Sequence, residues 1–205
     1  MESIIDLDRQ LLLAINHWTS PWADSLMTIM SAVRIWFPMY LLVGVAMFIP
    51  KAFSPRSIAA SECSNLNRWI AGVAAVCSVL LCCLLTDQVS AIVRDAVCRL
   101  RPGQDAEIGS MVRLIAGPGN RYGFYSGHAA NSTGFAMITS LLFRRRAWTI
   151  FSSVWAALVC YSRMYLGQHF PLDVLTGILS GIIFAAANYA LYKFAMRALA
   201  AGRQR

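Results

Sequence analysis

Five stretches of this chain are nearly free of charge: Ile35 to Ile49, Ile70 to Leu85, Ala129 to Phe143, Ala147 to Tyr161 and Val174 to Ala190. With their flanks, each approaches the ~20 residues a helix needs to cross a bilayer. In lipid a backbone N–H or C=O finds no water, so a spanning segment must satisfy its own hydrogen bonds, and a helix does so within one segment. The chain is 58% hydrophobic and 14% charged, against roughly 45–50% and 25% in soluble domains. These features predict an all-α polytopic membrane helix bundle of about five to six transmembrane helices, forming a single domain over residues 1–205.

Ahead of the spans, residues from about Ile4 to Trp18 set Leu7, Leu11, Leu12 and Ile15 on one side and Asp6, Asp8, Arg9 and Asn16 around the rest, the pattern of an N-terminal amphipathic helix lying in the interface. Ser20-Pro21-Trp22 supplies a cap and an N1 proline for a stretch that runs to Ile49, kinked at Pro38, either as one span or as an interfacial piece plus a span. Pro50 to Arg68 reads as a solvated connection. A helix from about Leu66 to Leu100 is stopped by Arg101-Pro102-Gly103. The glycine-rich segment Gly103 to Tyr125 has the character of a loop over a site. Three helices follow, at about Gly127 to Phe143, Ala147 to Tyr165 and Pro171 to Met196. The six cysteines, Cys63, Cys77, Cys82, Cys83, Cys98 and Cys160, mostly occupy apolar runs with no zinc-like spacing and read as small hydrophobes. The start of the chain lacks the basic region of a signal peptide and is expected to be retained.

The net charge of +8 does not indicate nucleic acid, because the basic residues form no stripe interleaved with exposed aromatics and cluster instead at the ends of apolar segments. Alternating the helices across the membrane puts ten basic residues and one acid, Glu62, at one end, among them Arg144, Arg145, Arg146, Lys193 and Arg197. Eight basic residues and nine acids fall at the other end, and the positive-inside rule makes the first end cytoplasmic. Connectivity alone gathers at the opposite end the close of the Leu66 helix, the start of the Gly127 helix, the close of the Ala147 helix and the start of the Pro171 helix.

Three polar clusters lie at that shared end. Arg94 and Arg101, seven apart and so two helical turns, project from one face, and Arg163 comes from another helix end. Guanidinium groups match phosphate oxygens with planar, charge-assisted donors. Ser126 and Gly127 stand where a helix begins, so backbone N–H groups and the positive end of the dipole face the same anion. His169 and Asp173 are four apart; the carboxylate accepts a hydrogen bond from one ring nitrogen and leaves the other to attack phosphorus. His128 remains to protonate the leaving oxygen.

These clusters, Arg94-x6-Arg101-Pro102, Tyr125-Ser126-Gly127-His128 and Ser162-Arg163-x5-His169-x3-Asp173, resemble the type 2 phosphatidic acid phosphatase superfamily, whose pattern is K-x6-R-P, P-S-G-H and S-R-x5-H-x3-D. Arg94 replaces the usual lysine and Tyr125 the usual proline. The resemblance implies catalysis by His169, Asp173 and His128, a phosphate held by Arg94, Arg101, Ser126, Gly127 and Arg163, no metal or other cofactor, and a lipid phosphate or diphosphate as substrate. It also implies a bacterial cytoplasmic membrane enzyme with its site on the outer face. Undecaprenyl diphosphate is the first substrate expected, with phosphatidylglycerol phosphate, lipid A and phosphatidate as alternatives. A lipid binder or transporter on the same frame is the reading of another class, though such relatives usually lose a catalytic histidine or arginine. Nothing in the sequence specifies an oligomeric state.

The remaining polar residues have plainer roles. Arg99, Arg113 and Arg121 read as anchors reaching toward head groups, His17 as an interface residue without a partner, and Asp87 as a helix-contact residue.

Overall fold

The computed structural model describes residues 2–49 and 65–202. Among them are seven α-helices: α1 (Glu2–Asn16), α2 (Pro21–Ser31), α3 (Phe37–Ala46), α4 (Asn65–Val97), α5 (Gly127–Phe143), α6 (Arg146–Tyr165) and α7 (Pro171–Gly202), with short 3-10 turns at Val33–Trp36, Pro102–Gln104 and Gly109–Met111. The expected connection around Lys51 and Arg56 lies mostly outside the described residues, as do Cys63, Arg203 and Arg205.

α5 is the central helix, packed against α4, α6 and α7. Lipid tails are as apolar as leucine, so burying leucine drives little helix association in a bilayer, and close backbone approach contributes more. Gly177 and Gly181 of α7 meet Ser126, Ala130 and Gly134 of α5; a Cβ built on Gly181 would lie 2.5 Å from the Ala130 carbonyl oxygen. Only glycine permits that contact. Aromatic edges fasten α3 and the turn before it to the bundle, with Tyr40 of α3 against Phe135 at 4.9 Å and Trp36 of the turn against Trp155 at 5.7 Å.

Two helices, Arg68–Val97 and Pro171–Leu199, are long and apolar enough to span, or three spans if α2 and the Val33–Ala46 piece, bent by 67°, count as one. The expected five to six spans are therefore not all visible from length and apolarity. α5 has 17 residues and carries serine, threonine and glycine because other helices, rather than lipid, surround it. The bend also moves. It falls at Ala32, whose backbone is extended, while Pro38 sits in the first turn of α3, where a missing N–H breaks no helical bond.

α1 reverses the expected arrangement. Asp8, Leu12 and Asn16, spaced by four, are buried, while Ile4, Leu7 and Leu11 are exposed. Where the surroundings are lipid, the apolar face turns outward and the polar stripe meets the protein.

Candidate active site

The ends of α4, α5, α6 and α7 that connectivity placed together do converge, but Arg94 and Arg101 meet by a different route from the one expected. α4 ends at Val97, and Cys98 adopts a left-handed backbone (φ 53°). The chain then pairs with the covering loop: the Arg101 amide donates to the Arg121 carbonyl (3.1 Å) and the Gly123 amide to that of Arg99 (2.9 Å). The two arginines thus reach one cavity from either side of a helix end rather than from one helical face.

That cavity is about 770 Å³ in volume and is lined at its polar end by Arg94, Arg101, Gly127, His128 and His169. Arg101 donates from Nη1 to Gln168 Oε1 (2.8 Å) and from Nε to the Tyr122 carbonyl (3.3 Å). Burial, followed by the charge of Arg94, presses its guanidinium below the ordinary value, while Asp173 pulls it back up. An incoming anion would relieve that strain. Arg163 does not line the cavity; it is buried, donates to the Ser31 hydroxyl at the end of α2, and keeps Nε without a partner among the described residues. Its charge is felt by both His128 and His169, and His128 lies against the Ser31 carbonyl.

His169 is buried, and its amide donates to the Arg163 carbonyl (3.2 Å), tying the segment before α7 to the end of α6. The expected hydrogen bond to Asp173 is not formed. Nδ1 lies 3.7 Å from Asp173 Oδ2, an ion-pair distance too long for a hydrogen bond, and has no partner among the described residues. Asp173 is engaged elsewhere: Oδ2 accepts from the Phe170 amide (3.0 Å) and Oδ1 from Arg99 Nη1 (2.6 Å). Burial first, then Arg163 and Arg101, push the His169 imidazole down from 6.5 to about 4, against the upward pull of Asp173.

Ser126 is also occupied. Its hydroxyl caps α5 by accepting from the Ala129 amide (3.4 Å), and its own amide donates to the Asp173 carbonyl (3.0 Å), so Gly127 rather than Ser126 offers the anion a backbone N–H. Tyr125, in the position usually held by proline, is buried with its hydroxyl 2.8 Å from Ser180 Oγ. The loop from Gly103 covers the site as expected. Asn120 reaches the cavity, and Gly119 (φ 65°) packs where a Cβ would fall 2.9 Å from Arg101 Nη1.

The sequence reading missed Arg99 and Asp8. Arg99 is no head-group anchor: besides Asp173, it donates from Nη2 to Asp8 Oδ2 (2.5 Å), and its guanidinium lies 4.2 Å over the Phe170 ring. Asp8 Oδ1 accepts from the Leu172 amide (2.8 Å). The spacing of Asp8, Leu12 and Asn16 was the available signal. Arg113 likewise pairs with Asp24 (3.0 Å), and His17 Nε2 meets the Met111 carbonyl (2.9 Å), so it has a partner after all. Arg121 lies over Tyr122, outside the cavity lining.

Below the polar end the cavity becomes an apolar groove between α3 and α4, where Phe37 and Leu80 both line it and remain 69% and 64% exposed. It therefore opens sideways, through exposed apolar side chains.

The PAP2 superfamily profile matches residues 75–197, which contain all three motifs. The lipid A 4'-phosphatase of Porphyromonas gingivalis is 34% identical over 199 residues, 95% of this chain and 77% of that protein. That of Bacteroides thetaiotaomicron is 34% identical over 184 residues, 88% of this chain and 75% of that protein. In fold, the crystal structure of the transmembrane PAP2-type phosphatidylglycerolphosphate phosphatase from Bacillus subtilis superposes with a TM-score of 0.66 at 19% identity, covering 93% of this chain and 87% of that one. With more than half its length matched by the family profile and two relatives 34% identical over most of it, the chain belongs to the PAP2 superfamily and is a membrane hydrolase of phosphoric esters.

Proposed function

We propose that the protein removes a phosphate from a lipid head group through a phosphohistidine, and that a lipid A-type glycolipid phosphate is the substrate. One observation supports this most: two imidazoles and the guanidinium groups of Arg94 and Arg101 stand at the head of a cavity whose other end is apolar and open at the side of the bundle. The head group enters with its tail still in the bilayer. Arg94 and Arg101 hold the phosphate, helped by the Gly127 amide, while Arg163, outside the lining, adds its charge beside the two imidazoles. His169 Nε2 attacks phosphorus, the bond to the head-group oxygen breaks, and that oxygen takes a proton from His128. Water then attacks the phosphohistidine with His128 accepting its proton, and orthophosphate leaves. Arg99 and Asp8 act by positioning Asp173 beside His169. The relatives shift the favoured substrate away from undecaprenyl diphosphate, since the two matching most of this chain are lipid A 4'-phosphatases.

In this reading α5 and α6 cross the bilayer with α4, α7 and the bent α2–α3 element. The site lies on the outer face of the bacterial inner membrane, opposite the basic cluster at Arg144, Arg145 and Arg146.

Purified protein in detergent is expected to release phosphate from lipid A with a higher kcat/KM than from undecaprenyl diphosphate, phosphatidylglycerol phosphate or phosphatidate, and to be unaffected by a chelator. Binding of these lipids without any release would favour a lipid binder or transporter, and dependence on Mg²⁺ would overturn the metal-free mechanism.

The pH profile follows from His169. Its lowered value means that the imidazole is neutral and nucleophilic above about 4 and is lost to protonation only below it. On an aryl phosphate, whose leaving oxygen needs no proton from His128, and once the substrate's own ionisation is divided out, log kcat/KM is expected to stay flat from neutrality to about pH 5 and then fall with a slope approaching one, because kcat/KM reports the free enzyme. A decline that already begins near 6.5 would assign the limb to an unperturbed histidine.

A further inference from the structure

We propose that Asp87, with Asn131, forms a subsite for hydrogen-bond donors on the group that carries the phosphate, selecting phosphates borne on a hydroxyl- or amide-bearing head such as a sugar over phosphates attached directly to a hydrocarbon chain. This rests on the phosphatase reading above and adds the recognition that the three motifs do not provide.

Asp87 stands between Thr86 and Gln88, just past the apolar run from Ile70 to Leu85 of α4, and lines the cavity. It lies seven residues before Arg94, about 10 Å further along the helix, away from the phosphate end. Asp95, the other acid of this helix, pairs with Arg94 at 3.7 Å. The Asp87 carboxylate has no hydrogen bond or ion pair among the described residues; only its main-chain carbonyl is engaged, accepting from Ser90 Oγ at 2.8 Å. Asp87 is an exposed residue in the open cavity; an ionisable residue within a membrane-spanning helix faces a cavity or the bundle interior and marks a site. This one faces the cavity, which is not where a simple helix-contact residue would point.

Asn131 of α5 lines the same cavity, and its Oδ1 is taken by the Thr86 hydroxyl, leaving the Nδ2 donors. Going down the cavity, the order is therefore cations and imidazoles, then a carboxylate acceptor and an amide donor, then the apolar wall of Leu80, Leu84, Phe37 and Tyr40. A sugar next to the phosphate offers hydroxyl or amide hydrogens at the middle level. A polyprenyl phosphate places methylene groups there and leaves the carboxylate unpaired. Sites built to hydrogen-bond a substrate group discriminate strongly against analogues lacking it, because the site's own polar group is then stranded.

The test compares wild type with Asp87→Ala and Asp87→Asn, as full chains in detergent, on lipid A and on a polyprenyl monophosphate. Asp87→Ala is expected to lower kcat/KM on lipid A by ~10- to 100-fold, the scale of a lost charged hydrogen bond, and to change the polyprenyl phosphate by no more than ~3-fold in loss, or to improve it. Asp87→Asn should fall between. A parallel loss on both substrates, or no loss on lipid A, overturns the subsite. The same pair of lipids is also titrated onto His169→Ala with and without Asp87→Ala, which needs no turnover. Weakened binding of lipid A alone supports the subsite even if wild type releases no phosphate, a result that would count against the phosphatase reading instead. Equal binding in both backgrounds counts against the subsite.

Discussion

His169→Ala is expected to lower phosphate release by at least ~10²-fold and to abolish the acid-labile phosphoenzyme, because in the proposed mechanism His169 is the residue that carries the phosphoryl group. His128→Ala should lose a similar ~10²–10⁴-fold on the natural substrate, the usual range for general acid–base catalysis. The two differ in what rescues them. A phosphoester whose leaving oxygen is a weak base needs no proton from the enzyme, so an aryl phosphate should restore much of the first step in His128→Ala, with phosphoenzyme accumulating as its hydrolysis still lacks a base. The same substrate should do nothing for His169→Ala. Phosphoenzyme in His169→Ala, trapped by quenching in alkaline denaturant and located by peptide mapping, would move the nucleophile to another residue.

Arg99→Ala is expected to lower kcat by ~10²-fold with KM little changed, the scale of loss that follows when a reacting group is misplaced by about an ångström. Arg99 bridges two carboxylates that are almost wholly buried, Asp173 at 0% and Asp8 at 2% exposed. Removing it strands both, and breaking a buried pair typically costs about 3–5 kcal/mol, so the variant could fail to fold. Asp8→Asn serves as the milder probe. The amide keeps an oxygen for the Leu172 N–H while losing the charge that holds Arg99, and the chain should fold with a smaller fall in kcat. Arg99→Lys should recover part of the rate lost in Arg99→Ala. If positioning is the role, single-turnover phosphoryl transfer slows while lipid binding to the His169→Ala background is untouched. Equal losses in binding and transfer, or a KM effect alone, would reduce Arg99 to a structural bridge.

Much of this site was legible because its residue types sit at helix ends, and the alternation of spans decides which ends meet. The helix over Gly127 to Phe143 appears as Gly127–Phe143, since Ser126 caps it and the arginines at 144 to 146 close it. His128, His169, Arg94 and Arg101 were all assigned to one volume, and all line it. What escaped depended on contacts across long sequence separation. No local pattern says that Asp8 will meet Arg99, 91 residues away, and an amphipathic helix gives no sign of which face points inward until its surroundings are known to be lipid. The His169–Asp173 spacing fits a hydrogen bond, yet other donors hold the carboxylate in a different orientation. Asp87 looked like a packing residue because a helical wheel does not show a cavity.

The placement of α1 has a practical consequence for anyone recombining these enzymes. The family match begins at residue 75, yet one carboxylate in contact with the Arg99 bridge is contributed by residue 8. Chimaeras cut at the edge of the matched segment would join a catalytic half to a foreign leading helix, and their success should track whether the donor supplies an acid at the matching turn rather than overall sequence similarity.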